Sequence, residues 1–384
     1  MSRPIRIAHV LTSVRDGGLE RVVFQLCCGL DPKRFESSIC CLLDENSWSR
    51  EFESRDIPFS SFGARNRGLG ALLPNLRALV RLSTHLRRER IDVVIAHDFF
   101  PGVLGRISAL MAGVPYRVAV LHATYDWLGG KASLVNRLLA GSTNRVVSVS
   151  EAAKASSIHR EGLSSKLYRT IPNGIDPQRF RPGRPERSSI RCELGLEDGD
   201  IAIGCVGVIR ESKRQSDLVQ AVGPLLRADP RVRLVLVGSA RPHEREYELA
   251  LDSMIQSLPP GRVIRLENRH DMEAIYAAFD LFVAPSASEG FGLALTEAMA
   301  SGLPCIASDI PAHTEIAGES SPFRQYPVGD VSALSERIDS LLADSNSRRN
   351  LSTLARARIE DRFTIELMLS GWDRVLTELV QEDG

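Results

Sequence analysis

Strand-like and helix-like segments alternate along this chain, stop at a proline-rich linker, and then start again in the same manner. The run Ile5-Arg6-Ile7-Ala8-His9-Val10-Leu11 is rich in branched apolar residues and reads as a buried strand; a loop over 12–18 then opens a helix predicted over 19–30. Apolar runs at 38–43, 93–96, 118–121 and 146–149 follow, interleaved with helical segments at 72–90 and 103–112. Such alternation specifies a parallel sheet with helices on both faces. At Ile171-Pro172-Asn173-Gly174-Ile175-Asp176-Pro177 two prolines and an Asn-Gly stop any regular element. Beyond it the pattern resumes: strand 201–206, helix 216–228, strand 233–237, helix 243–256, strand 263–266, helix 272–279, strand 281–284.

The expected fold is therefore α/β, with two Rossmann-like, doubly wound parallel-sheet domains over 1–172 and 173–364. A length of 384 residues agrees, since it exceeds what one hydrophobic core usually supports. A last helix, 365–384, carries Leu367, Leu369, Trp372, Val375, Leu376 and Leu379 on one apolar face and is expected to pack back on the first domain. Open α/β sheets bind ligands at the carboxyl ends of their strands, so a cleft between two such sheets is the expected active site.

Seven cysteines without a CxxC pair or zinc-like spacing indicate a reducing compartment, and no apolar run approaches the length of a membrane span. The protein is expected in the cytoplasm. Net charge is zero, yet residues 1–175 hold 24 Lys and Arg against 15 Asp and Glu, and the remainder 24 against 33. The basic first half, including Arg77, Arg81, Arg87, Arg88 and Arg90, suits a peripheral position on an anionic membrane face or a pyrophosphate-linked acceptor. Attraction between the two halves is an equal reading, and no nucleic-acid partner is expected.

The chemistry concentrates in Ser286-Ala287-Ser288-Glu289-Gly290-Phe291-Gly292-Leu293-Ala294-Leu295-Thr296-Glu297. A strand ends just before it, Gly290 and Gly292 lie in a loop, and a helix is predicted over 293–300. A glycine loop feeding a helix N-terminus presents backbone N–H groups to an anion such as a pyrophosphate. Glu289 precedes the helix and Glu297 lies within it, so the two carboxylates can act at different places on one extended ligand. A second segment, Gly207-Val208-Ile209-Arg210-Glu211-Ser212-Lys213, sets cations at the end of strand 201–206, where they could stabilise a leaving diphosphate. In the first half, Asp16-Gly17-Gly18 follows the first strand, and His97 and His122 end two others.

Together these segments resemble the EX7E motif and surroundings of the family four retaining glycosyltransferases, which have the GT-B fold. The resemblance spans most of the chain and is strongest in its second half. It implies Glu289 beside the donor sugar, Glu297 on the ribose hydroxyls, Lys213 on the diphosphate, and His122 at the sugar, making Glu289, Lys213 and His122 the catalytic set. Donor-binding residues would include Gly17, Gly18, Gly207, Arg210, Gly290, Phe291, Gly292 and Leu293, with His97 on the acceptor side. The sequence departs from the family at Val208, where an arginine is usual; Arg210 is the available substitute. The implied reaction moves a sugar from a UDP-, GDP- or ADP-linked donor to a saccharide or lipid-linked acceptor in envelope polysaccharide or glycolipid synthesis. No cofactor or metal is expected, because Lys213, Arg210 and the helix N-terminus would carry the diphosphate charge. A non-hydrolysing nucleotide-sugar epimerase and a catalytically silent nucleotide-sugar-binding subunit remain alternatives.

Overall fold

Branched apolar runs flanked by amphipathic helices give parallel strands that bury both faces, and a computed structural model of the chain shows two such sheets. It describes residues 3–15, 17–65, 71–125, 129–267 and 269–381. The chain divides into two units, one of Met1–Gly174 with Ile365–Gly384, the other of Ile175–Thr364.

In the first unit seven parallel strands are ordered β3-β2-β1-β4-β5-β6-β7: β1 (Ile5–Leu11), β2 (Phe35–Cys41), β3 (Phe59–Ser61), β4 (Val93–His97), β5 (Tyr116–Leu121), β6 (Arg145–Ser148) and β7 (Tyr168–Thr170). Strand order reverses beside β1, between β1 and β4, the kind of switch point at which such sheets take ligands. The helix Leu72–Arg88 buries Ala78, Leu82 and Leu86 against the sheet and leaves its other face exposed. The terminal helix Ile365–Gln381 belongs to this unit, and Arg34 binds Asp373 on it. Residues 382–384, the end of the expected helix, lie outside the described residues.

The second unit has six parallel strands in the order β10-β9-β8-β11-β12-β13: β8 (Ile201–Val206), β9 (Val232–Val237), β10 (Val263–Leu266), β11 (Leu281–Ala284), β12 (Cys305–Ser308) and β13 (Arg324–Tyr326). Its core joins Ile203, Leu234, Leu281, Val283 and Ile306 of the sheet to Leu218, Val222 and Leu251 of the covering helices. The division falls after Gly174 rather than at Pro172 because Ile175 pairs with Thr364 and donates its N–H to Phe363, which binds the entering chain to the leaving one.

Candidate active-site residues

In the second unit, β8 ends at Val206 and the chain turns at Gly207 with φ +153°, a conformation that side chains avoid. Gly238, after β9, has φ +137°, and a Cβ there would overlap the Gly207 carbonyl oxygen. Two glycines thus let the strand ends touch and send the following segment outward to a short 3-10 turn, Glu211–Lys213. Arg214, at φ +51°, closes that turn in a strained non-glycine conformation. The Ala287 N–H donates to the Ser212 carbonyl at 2.8 Å, which ties this turn to the loop after β11.

The result is an ion pair between Lys213 Nζ and Glu289 Oε1, with side chains only 17% and 15% exposed. Ser286 Oγ donates to the same carboxylate oxygen at 2.7 Å. Burial pushes the Glu289 carboxyl up, but the Lys213 ammonium, His313 and the hydrogen bonds outweigh it and hold it below the usual carboxylate range. Gly292, at φ +116°, caps the helix Leu293–Ala300, whose first intrahelical bond runs from Thr296 N to Gly292 O at 3.0 Å. The N–H groups of its first turn have no intrahelical acceptor. Lys213, Ser286, Glu289, Gly292, Ala294 and His313 line one recess.

The remaining expected residues separate into groups. Glu297 accepts from Tyr276 Oη at 2.9 Å. Phe291 is 5% exposed with its ring against Phe363, so it offers a ligand backbone alone. Leu293 is the first helical residue, and Gly290 is buried in the loop before it. Val208 offers its carbonyl to Gln215, whereas the Arg210 guanidinium has no hydrogen-bond partner among the described residues and its Nε is buried. Gly17 caps the helix Gly18–Gly29, and the Glu20 carboxylate folds back to within 2.5 Å of where a Gly17 Cβ would stand. Asp16, at the head of that motif, lies outside the described residues.

The first unit brings His97 and His122 together and adds His9, which the sequence did not single out. His97 is 2% exposed and spends both ring nitrogens on the other two, whereas His122 is half-buried and has only its Nε2 engaged by His97. Asp98 and Tyr125 follow the two strand-end histidines, both at positive φ (+69° and +55°), and Tyr125 Oη donates to the Asp98 carboxylate. Strain of this kind persists where surrounding structure imposes it, and it concentrates at functional sites.

Sequence reasoning also missed His313. It is fully buried, 24 residues beyond Glu289 on the short helix Pro311–Ala317, with Nδ1 3.0 Å from the Ser308 carbonyl and Nε2 buried without a partner. The chain does contain an Asp-x-Asp, Asp198-Gly199-Asp200, but it stands in the turn before β8, at the other end of that strand from Lys213, with Asp200 bound to the Glu197 N–H. Among the described residues no cluster of three or more His, Cys, Asp or Glu is placed to hold a metal.

Two family models match the chain, one in each half. Residues 16–179 match the family model described as Glycosyltransferase Family 4, and residues 186–358 that described as Glycosyl transferases group 1. The chain is 27% identical to the Escherichia coli UDP-Gal:alpha-D-GlcNAc-diphosphoundecaprenol alpha-1,3-galactosyltransferase over 80% of each. It is 25% identical to the Bacillus anthracis N-acetyl-alpha-D-glucosaminyl L-malate synthase over 77% of each. Among solved structures, HepE of Anabaena in complex with UDP and glucose superimposes with a TM-score of 0.86, at 23% identity, over 97% of this chain and 99% of that one.

Proposed function

Because the chain belongs to the glycosyltransferases, with a Family 4 first half and a group 1 second half, we propose that it moves a sugar from a nucleoside diphosphate donor to an acceptor hydroxyl with retention at the anomeric carbon. The observation that carries this reading is the partly buried Lys213–Glu289 pair beside the open first turn of helix Leu293–Ala300. A diphosphate seated there meets an ammonium, free N–H groups and, from Arg210, an uncommitted guanidinium. These groups stabilise the charge that develops on the leaving nucleotide, and no metal is required. Glu289, kept ionised by Lys213, faces the positive charge that grows at the anomeric carbon, and Glu297 takes the ribose hydroxyls. The leaving diphosphate helps remove the acceptor proton as the new bond forms on the same face.

The relatives support a donor of the UDP-sugar type and an acceptor of envelope polysaccharide or glycolipid synthesis. A lipid-linked acceptor is also consistent with the outer face of helix Leu72–Arg88, which exposes Leu72, Leu73, Leu76 and Val80 among Arg77, Arg81 and Arg88. Apolar residues flanked by cations suit peripheral binding to an anionic bilayer, at about 1 kcal/mol per basic residue. No helix among the described residues is long and apolar enough to cross a membrane.

The test is release of nucleoside diphosphate from UDP-, GDP- and ADP-hexoses, with saccharide and polyprenyl-diphosphate acceptors supplied in anionic vesicles. Acceptor-dependent release and a product of unchanged anomeric configuration are expected. An inverted product refutes the mechanism, and conversion of the donor sugar without acceptor points to an epimerase instead.

A further inference from the structure

His9, His97 and His122 form a continuous line of imidazoles from the interior of the first unit to its surface. They lie on or just after the neighbouring strands β1, β4 and β5, each one step nearer the carboxyl end of the sheet. His9 Nδ1 is 3.2 Å from His97 Nε2, and His97 Nδ1 is 2.9 Å from His122 Nε2. The rings stack in sequence, with centroids 5.4 and 5.2 Å apart at 24° and 29°. Burial drives all three toward the neutral form, His9 to about 3.

Three neutral rings sharing two contacts have two registers of protons, and the inner end distinguishes them. His9 is fully buried and its Nε2 has no hydrogen-bond partner. Protonated at Nε2, His9 would strand a buried N–H, the rarer and costlier orphan. Protonated at Nδ1, it donates to His97; His97 then carries its proton on Nδ1 and donates to His122 Nε2. The proton of His122 is left on Nδ1, the nitrogen not engaged by the chain. A side-chain hydrogen bond from Tyr125 Oη to the Asp98 carboxylate ties together the segments that follow His97 and His122.

We propose that His9 and His97 are positioning residues that fix His122 as an Nδ1–H donor, so that His122 binds an electron-rich oxygen of the ligand and does not act as a general base. The tautomer follows from the histidine chain alone; that the oxygen belongs to a sugar or diphosphate rests on the transferase reading above.

The experiment is nitrogen NMR of the full-length, ligand-free chain with 15N-labelled histidine at neutral pH, His122 being assigned from the His122→Asn spectrum. A protonated Nδ1 and an unprotonated Nε2 on His122 are expected; the reverse overturns the proposal. In His9→Leu the His122 pattern should become mixed and kcat should fall about tenfold, with UDP affinity unchanged. His9→Asn, which restores a donor near the Nδ1 position, should recover the pattern and come within about threefold of the parent kcat. Unchanged spectra and kcat in His9→Leu refute the positioning role. If His9→Leu does not fold, His97→Gln is read in its place, with the same loss expected and the same null result counting against the idea. Absence of transfer by the parent chain with every donor sinks the transferase reading, while the tautomer pattern still decides the histidine chain.

Discussion

Replacing Lys213 with Met tests whether the recess of the second unit is built around an ion pair rather than merely containing one. The substitution preserves most of the side-chain volume and removes the ammonium, leaving Glu289 with the Ser286 hydroxyl at 2.7 Å and the neighbourhood of His313. An uncompensated buried carboxylate costs about 3–5 kcal/mol. Because the pair retains 17% and 15% exposure, the lower end applies, about 3 kcal/mol. For a unit of this size that lowers the melting temperature by roughly 6–12 °C. The penalty should depend on pH. In the parent the folded-state pKa of Glu289 lies below its unfolded value, so the carboxylate stabilises the unit above about pH 4.3 and that contribution fades as pH falls through the folded pKa. Without Lys213 burial dominates and the pKa rises above the unfolded value, so the variant loses most stability at neutral pH and least in acid. The double variant Lys213→Met/Glu289→Gln has no stranded charge and should recover about 2 kcal/mol of the loss. Of the three tryptophans, Trp48 and Trp372 lie in the first unit, and position 127 falls in sequence within the same 1–174 stretch, none being in 175–364. Far-UV circular dichroism therefore follows both units while tryptophan fluorescence follows the unperturbed one. A shift below about 2 °C, a penalty that does not shrink in acid, or strict additivity in the double variant would refute the argument.

Three further outcomes are expected. Glu297→Ala should weaken nucleotide binding about 10- to 100-fold by calorimetry without lowering the melting temperature by more than a few degrees; unchanged affinity removes Glu297 from the ribose. Gly238→Ala should cost more than about 2 kcal/mol in thermal unfolding, because φ is +137° and the new Cβ meets the Gly207 carbonyl; a silent substitution would mean that the strand ends can separate. Leu76→Asp with Val80→Asp should reduce co-sedimentation with anionic vesicles severalfold and leave neutral vesicles unaffected; equal binding by the parent and the variant argues against this helix as the contact.

The parts of this fold that announce themselves in the sequence are those with a strong local pattern. Strands Ile201–Val206, Val263–Leu266 and Leu281–Ala284 and the helix Leu293–Ala300 have the bounds their hydrophobic runs and glycine punctuation indicate. The edge strands Phe59–Ser61, Tyr168–Thr170 and Arg324–Tyr326 have three residues each, too few to show a period. Helix Ser345–Arg362 is obscured by its charge, since it buries only Leu351, Ala355 and Ile359. At the site, Glu289 and Lys213 were legible because motif and strand end coincide. His9 was not, because it sits mid-strand and acquires meaning only through the pairing of β1 with β4. His313 depends likewise on a carbonyl of β12 and on a recess no local spacing encodes. Phe291 shows the converse: it belongs to the motif, yet the fold assigns its ring to the core.

The central claim is that the recess formed by Lys213, Glu289 and the helix after Gly292 receives the diphosphate of a nucleotide sugar. Calorimetric titration of UDP, GDP and ADP into the parent and Lys213→Met addresses it directly. One nucleotide should bind the parent at one site per chain, and loss of the ammonium should weaken it about 10- to 100-fold. Failure of all three nucleotides to bind, or binding that Lys213→Met leaves intact, would contradict it.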